Sequence, residues 1–331
     1  MTAIAVSGAG GGVGQSIIKA LAQGPYRVVA LDSSALAAGM YTTGAAYTIP
    51  MARSVEFVDR VLEICAAEDV SIFFPGLDPE LAVVSAASGR FHAAGVHPVV
   101  SSPEVIAIAD NKYLTYTALT AGGIAVPYTV DMAARPADAD LPEYPFILKK
   151  REGGSRSADV YLIRSRADLD AVANPEDFVA QEYIEGDEYT CGSVTLDGKC
   201  QGVIVMRRIL RSGDTHKCFS VRDERIEACV RDVVDILKPH GATNVQLRLR
   251  DGIPYVFEIN ARCSGTTGAR ALCGFNEPLM IADWLTQGIA PQYEIRETTV
   301  LRYWKELVVD NADVAELTEQ GSLHRDAFRP M

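Results

Sequence analysis

The sequence holds no C-x-x-C pair, and its cysteines number seven. An odd count without paired spacing excludes a disulfide framework and a zinc site as organising features. Cys65, Cys191, Cys200, Cys218, Cys229, Cys263 and Cys273 read as small buried hydrophobes, although Cys263 follows the key strand described below. No G-x-x-x-x-G-K-[ST] occurs, so a P-loop is excluded. No apolar run approaches the ~20 residues of a membrane span. No charged leader precedes the first apolar segment, so a soluble, cytoplasmic chain is expected. Basic residues are outnumbered: 31 Lys plus Arg face 43 Asp plus Glu, a net charge of −12. That balance argues against nucleic acid and anionic membranes as partners. Internal repeats and low-complexity stretches are absent. What remains is 331 residues, 48% hydrophobic and 22% charged, an ordinary globular composition for roughly two or three domains.

The chain is organised around Val256-Phe257-Glu258-Ile259-Asn260-Ala261-Arg262. It is preceded by Asn244–Arg250, the turn Asp251-Gly252, and the apolar run from Ile253. Two strands about a Gly-containing turn predict a hairpin. Residues i and i+2 of a strand share a face, so Glu258 and Asn260 point together and Gln246 can lie opposite them. One carboxylate and two amide oxygens form an all-oxygen set of the kind that suits Mg²⁺ held jointly with phosphates. Arg262 can reach the same anion. Alone, an E-x-N pair is more often a solvated hairpin edge; the rest of the chain shifts that balance.

Residues 1–105 alternate strand and helix, which predicts a parallel sheet. Strands are expected at Ala3–Val6, Arg27–Asp32, 71–76 and 97–100, and helices over 15–22, 54–67 and 79–94. The first strand runs into Ser7-Gly8-Ala9-Gly10-Gly11-Gly12-Val13-Gly14. With Asp32 eighteen residues past Gly14, this loop could hold a dinucleotide, although Val13 stands where strict G-x-G-x-x-G needs its third glycine. The bland alternative is a tight strand-to-helix turn. Further on, Tyr144–Lys150 is a strand ending in lysines, followed by Gly153-Gly154-Ser155-Arg156-Ser157. A lysine beside a Gly-rich hairpin offers point charge and backbone N–H groups to phosphates. Strands are also expected at 178–184, 189–196 and 202–209. Arg207, Arg208, Arg211, His216 and Lys217 crowd one short stretch of an acidic chain, which suggests an anionic substrate, the alternative being a solvated loop. A helix over 223–239 repeats Ile226, Val230, Val233, Val234 and Leu237 at helical spacing. A late strand is expected over 299–307, and the polar tail after 308 is expected to cap the surface.

In this order the chain resembles the ATP-grasp superfamily, over nearly its full length. It is most similar to carbamoyl-phosphate-synthetase-like members with a preceding doubly wound (preATP-grasp) domain. Five stretches carry the resemblance: Asp110-Asn111-Lys112 with Gly122-Gly123-Ile124-Ala125-Val126-Pro127; Pro145–Lys149 with Gly153–Arg156; Gln181-Glu182-Tyr183-Ile184-x-Gly186-x-Glu188; Gln246; and Glu258–Arg262 with Ser264-Gly265. Each is weak singly, and together they are specific. The resemblance implies an N-terminal doubly wound α/β domain at 1–105, a small lid subdomain at 106–180, and a C-terminal α+β subdomain at 181–331. It implies Lys112 and Lys149 on the ATP phosphates, Gly154 and Ser155 in the lid, and Glu182, Tyr183 and Ile184 at the adenine. It further implies Glu188 at the ribose, Gln246, Glu258 and Asn260 as ligands for Mg²⁺ (or Mn²⁺), and Arg262 on the transferring phosphoryl group. Arg208, Arg211 and Lys217 are expected to meet the substrate carboxylate or its acyl phosphate. Three departures from the family pattern bear on lid closure: Lys150, Ser157-Ala158 and Ala261. The implied reaction activates a carboxylate with ATP for attack by an amine and needs no side-chain nucleophile, so Ser7, Cys263 and His216 are given no covalent role.

Two other readings stand beside this one. An NAD(P)-dependent oxidoreductase would use Gly8 and Asp32 but leave Glu258, Asn260 and both lysines idle. A non-catalytic nucleotide-binding module would leave an intact lysine and metal set unexplained. The carboxylate and the amine are not named by the sequence, and a homodimer is the expected assembly because C2 dimers are the commonest.

Overall fold

Ala3–Val6 (β1) is four apolar residues, all buried. A strand covered by helices on both faces reads as such a run, as in parallel sheets. In the computed structural model, which describes residues 1–153, 159–303 and 305–325, β1 is central in its sheet. Around it stand Gly12–Leu21 (α1), Arg27–Asp32 (β2), Ala45–Thr48 (β3), Phe57–Ala67 (α2), Val70–Phe74 (β4), Asp78–Ala86 (α3), Ser88–Ala93 (α4) and His97–Pro98 (β5). The order is β3-β2-β1-β4-β5, all parallel. Helix α2 buries Phe57, Val61, Ile64 and Cys65, one stripe at helical spacing. Because β1 has β2 on one side and β4 on the other, the loops leaving β1 and β4 diverge. The crevice between them is where open α/β sheets bind ligands. Strand β3 was not expected, and the single helix expected over 79–94 breaks at Ala87 into α3 and α4.

Pro103–Asp110 (α5) and Lys112–Ala121 (α6) follow, separated by Asn111, whose side chain caps α6 by accepting from the N–H groups of Tyr113 and Leu114. A four-stranded antiparallel sheet comes next. It is made of Thr129–Asp131 (β6), Phe146–Lys150 (β7), Val160–Ile163 (β8) and, after Arg166–Asp170 (α7), Phe178–Glu182 (β9), in the order β6-β9-β7-β8. Phe146, Leu148, Ile163, Phe178 and Ala180 form its core. Alternation therefore sends Lys149 to the opposite face.

The third sheet comprises Glu188–Leu196 (β10), Lys199–Arg211 (β11), Asp214–Val221 (β12), Gly241–Arg250 (β13), Ile253–Asn260 (β14) and Thr299–Leu301 (β15). Glu224–Leu237 (α8) lies between β12 and β13, and Thr267–Leu272 (α9) and Glu277–Gln287 (α10) follow β14. The antiparallel order is β14-β13-β10-β11-β12-β15. One face is apolar: Cys191, Val203, Val205, Val245 and Leu247 pack on Ile226, Val230 and Val233 of α8. The other face carries Glu188, Thr190, Arg208, Asn244 and Gln246, with Glu188 opposite Arg208, Thr190 opposite Gln246 and Asn244 opposite Gly192. The expected hairpin is present, with Gln246 opposite Glu258 and Asn244 opposite Asn260. Leu247 then pairs with Val256, so Phe257 is the extra residue of a β-bulge. The basic run 207–217, whose first residues fall in the strand expected at 202–209, lies on the β11–β12 hairpin, and alternation divides its charges between two faces.

The tail expected to cap the surface instead forms Asn311–Gln320 (α11) and Ser322–His324 (β16), and β16 pairs antiparallel with β3 at the edge of the first sheet. Leu317 and Leu323 bury at 0% and 3% exposure. We propose domain bounds at 105 and 180, with 311–325 returning to the first domain. No helix among the described residues is long and apolar enough to cross a membrane.

Candidate active site

A cavity of about 380 Å³ opens where the crevice of the first sheet meets the polar face of the third. Gly11, Gly12 and Val13, at the start of α1, form one wall, and Gly76, Leu77 and Asp78, after β4, form another. Lys112 comes from α6, Lys149 from β7, Arg208 from β11, Gln246 from β13, and Glu258 and Asn260 from β14, with Arg262 just beyond. Seven of the expected site residues thus meet in one place. Among the described residues, six basic side chains line the cavity (Lys112, Lys149, Lys150, Arg208, Arg262 and Arg302) against three acidic ones (Asp78, Asp214 and Glu258). In a chain of net charge −12, that local excess favours an anionic ligand.

The floor is a continuous hydrogen-bonded row. Glu258 Oε1 accepts from Gln246 Nε2 at 3.2 Å and from Asn260 Nδ2 at 3.1 Å. Gln246 Oε1 accepts from Arg208 at 2.6 Å, and Asn260 Oδ1 from Arg262 at 3.1 Å. Both amides therefore turn nitrogen toward Glu258. A half-turn about each terminal torsion, which is soft, would instead present amide oxygens beside the carboxylate. Gln246, Glu258 and Asn260 accordingly fit a hard divalent cation by donor chemistry.

Lys149 is 5% exposed and donates to the Phe257 carbonyl at 2.9 Å, the acceptor presented by the bulged residue. Burial lowers its pKa to about 8, partly offset by the nearby Glu258 carboxylate and reinforced by Lys112. Lys112, also buried, donates to the Gly153 carbonyl at 2.8 Å. Arg262 makes a two-pronged ion pair with Asp78, 2.6 and 2.7 Å, which spans the first and third sheets. Asp78 and Arg302 were not anticipated. Asp78 had one available signal, its position just past the carboxyl end of a parallel strand; Arg302, after a three-residue edge strand, had none.

The remaining expected residues lie elsewhere. Glu188 is held between Arg208 (2.6 Å) and Arg248 (2.8 Å). Arg208 thus bridges Glu188 and Gln246. Glu182 pairs with Arg250 at 2.8 Å and accepts from the Tyr128 N–H. The Arg248 guanidinium lies 5.4 Å from the Tyr183 ring centroid and donates to the Ile184 carbonyl. Glu182, Tyr183, Ile184 and Glu188 do not line the 380 Å³ cavity, and neither do Arg211 and Lys217, which are exposed. Gly154 and Ser155 lie outside the described residues. Cys263 is buried behind Arg262, at 3% exposure.

Beneath the floor, Asn244 Oδ1 accepts from Thr190 at 2.7 Å and from Arg270. Arg270 pairs with Glu277 at 2.7 Å, both fully buried, and Thr267 donates to the same carboxylate at 2.6 Å. Gly192 makes room for the pair: a Cβ there would lie 2.3 Å from Glu277 Oε1. Removing one partner of such a pair strands a buried charge. Arg270→Met should therefore destabilise the chain by about 3–5 kcal/mol, seen as a lower urea midpoint at unchanged slope.

Glu80 lies behind the β4 wall, where its carboxylate accepts from Ser7 Oγ at 2.6 Å and from the Gly76 and Leu77 N–H groups. Burial outweighs these bonds and lifts its pKa from 4.5 to about 7. A raised folded-state pKa means stability that is complete below pH 4.5 and lost as pH rises through 7. The loss specific to Glu80 should be about 3 kcal/mol. Glu80→Gln should remove that component, so wild type and variant diverge between pH 4.5 and 7 in denaturant titrations.

The glycine loop also has a structural explanation. Gly11 N–H bonds the Gly8 carbonyl at 2.8 Å, and Gly8 has φ +63°, a conformation suited to glycine. Asp32 Oδ2 accepts from Gly10 N–H and Oδ1 from Ser34 N–H. Both oxygens that would be needed on a ribose are engaged, one bracing the glycine loop and one the turn after β2.

Residues 109–266 match the ATP-grasp domain family and residues 4–99 the PylC-like N-terminal domain family. The D-alanine–D-alanine ligase A of Bacillus cereus is 25% identical over 217 residues, 59% of this chain and 71% of the ligase. An N5-carboxyaminoimidazole ribonucleotide synthetase solved with ADP superposes with a TM-score of 0.71 at 15% identity, over 89% of this chain and 79% of that one. An L-amino acid ligase from Bacillus licheniformis superposes with a TM-score of 0.67 at 18% identity, over 90% and 78%. At these identities the two structures are likenesses of fold. The two family matches give the chain an ATP-grasp domain behind a PylC-like N-terminal domain.

Proposed function

We propose that this chain is an ATP-dependent carboxylate–amine ligase whose reaction runs in the 380 Å³ cavity. The observation that carries the reading is convergence. Lys112 from α6, Lys149 from β7, and Glu258, Asn260 and Arg262 from β14 and the turn after it reach one net-basic cavity. In the first step a carboxylate oxygen of the substrate bonds to the γ-phosphorus of ATP, the bond to the β–γ bridging oxygen breaks, and ADP leaves. In the second, an amine nitrogen attacks the acyl carbon, the C–O bond to phosphate breaks, and phosphate departs. The amine arrives as an ammonium. One of its protons passes to solvent before attack, and a second leaves with phosphate as HPO4²⁻.

Lys112 and Lys149 neutralise phosphate charge, and Arg262 faces the phosphoryl group in flight; electrostatic stabilisation of this kind is where most catalysis of phosphoryl transfer arises. Gln246, Glu258 and Asn260 would hold Mg²⁺, with Mn²⁺ as an alternative, and the ion would offset charge on the β- and γ-phosphates. Arg208 positions Gln246 and Glu188. Glu182, Tyr183 and Ile184 serve the adenine and Glu188 the ribose in this proposal, supported by their place between the end of β9 and the start of β10, whose Thr190 lines the cavity. Occupying them requires the Arg248 and Arg250 contacts to rearrange. Arg211 and Lys217 retain a substrate role only if the β11–β12 hairpin moves inward. A homodimer belongs to the same proposal on the frequency of C2 assemblies alone.

The test is ADP release from Mg·ATP with pooled carboxylates and hydroxylamine. The reading expects a hydroxamate whose mass names the acid. ATP binding with no ADP release from any pool would count against it.

A further inference from the structure

A second cavity, of about 630 Å³, lies between α3, α5 and the end of β14. It shares Leu77, Asp78, Lys112, Glu258 and Asn260 with the reaction cavity, so the two meet at the floor. Their linings differ in chemistry. The reaction cavity has six basic groups to three acidic. Among the described residues the second has three carboxylates, Asp78, Asp110 and Glu258, against one cation, Lys112. Away from the junction its walls are apolar, built from Pro79, Leu81, Pro103, Ile106, Ala107 and Ala261.

We propose that this groove is the subsite for the amine and that it selects ammonium compounds with an apolar body. The proposal rests on the ligase reading and adds to it the route and class of the nucleophile. Anions are drawn to the basic cavity and cations to the acidic groove, so the two reactants enter from different sides. Asp78 stands at the junction, its carboxylate already oriented by Arg262, and would hold the ammonium beside the acyl phosphate. Asp110 is fixed by the Gly153 N–H at 3.1 Å and keeps the groove mouth negative. Ile106 and Leu81 are 6% and 5% exposed, so the apolar floor is firmly packed, while Ala107 is exposed on the groove side of α5.

The experiment is calorimetric titration of the intact chain, saturated with Mg·AMP-PNP, with n-propylammonium, n-hexylammonium and hexanoate. Affinity for the ammonium series should rise by roughly threefold to fourfold per methylene, and hexanoate should bind at least tenfold more weakly than n-hexylammonium. Ala107→Phe, which fills the groove from an exposed helix position, should lower the ratio of hexylammonium affinity to AMP-PNP affinity by tenfold or more, whereas Ala107→Ser should keep it. Equal binding of hexanoate, or an unmoved ratio in Ala107→Phe, would overturn the proposal. Failure of the ligase reading looks different: no hydroxamate forms even though the ammonium binds in the groove.

Discussion

Glu258→Gln should lower ADP formation by 10³-fold or more while leaving the fold intact. Glu258 is the carboxylate between the two floor amides, and its Oε1 takes an N–H from each. Glutamine keeps the size and one acceptor oxygen. It removes the negative charge that a hard cation needs and that balances Lys149. Losing a preorganised electrostatic element at a phosphoryl-transfer site costs roughly 10²–10³ in rate, and weaker metal binding compounds the effect. Steady-state ADP release at saturating Mg·ATP, with a thermal melt on the same sample, separates lost chemistry from lost structure. A variant that melts normally yet retains a tenth of the wild-type rate would remove Glu258 from the metal set.

Lys149→Met should abolish detectable ATP turnover and weaken ATP binding at least tenfold while making the chain more stable. Lys149 is buried, and its pKa is drawn down from 10.5 to about 8 by desolvation. A depressed lysine pKa means that stability is lost as pH falls from 10.5 through 8, so at pH 7 the full cost of the buried charge is present. That cost is about 3 kcal/mol. Methionine is of similar length and apolar. It gives up the bond to the Phe257 carbonyl, worth about 1 kcal/mol, so a net gain of about 1–2 kcal/mol is expected from these two terms. Stability gained as function is lost marks a group kept for its ligand. Urea unfolding at pH 7 and nucleotide titration on one preparation measure both sides. A variant that is less stable than wild type and still binds ATP tightly would show that Lys149 serves the fold.

What could be read from the sequence followed periodicity and order. The buried runs at β1 and β4, the helical stripe of α8 and the β13–β14 hairpin rest on local patterns, and the structure has them near their expected places. The separations of Lys112, Lys149, Glu258, Asn260 and Arg262 helped carry the resemblance, and these five residues meet in one cavity. Local pattern failed where long-range contacts decide. Ala45–Thr48 is a short segment that becomes a strand only because β2 and β16 flank it. The expected strand at 202–209 stopped short of the hairpin because the charges of the 207–217 run mask the alternation that continues to Val221. Pairings such as Arg262–Asp78, 184 residues apart, leave no trace in spacing. The apolar groove joins α3, α5 and β14 in the same nonlocal way.

The central claim, that ATP activates a carboxylate in this cavity, is tested most directly by following oxygen. The acid identified as its hydroxamate would be supplied with both carboxylate oxygens as ¹⁸O, together with Mg·ATP and an amine, and the released phosphate analysed by mass. An acyl phosphate predicts one ¹⁸O in the phosphate for each ADP formed, since the carboxylate oxygen that attacks phosphorus leaves with it. Phosphate without label, formed at the same rate as ADP, would mean that water takes the phosphoryl group, and would contradict the account.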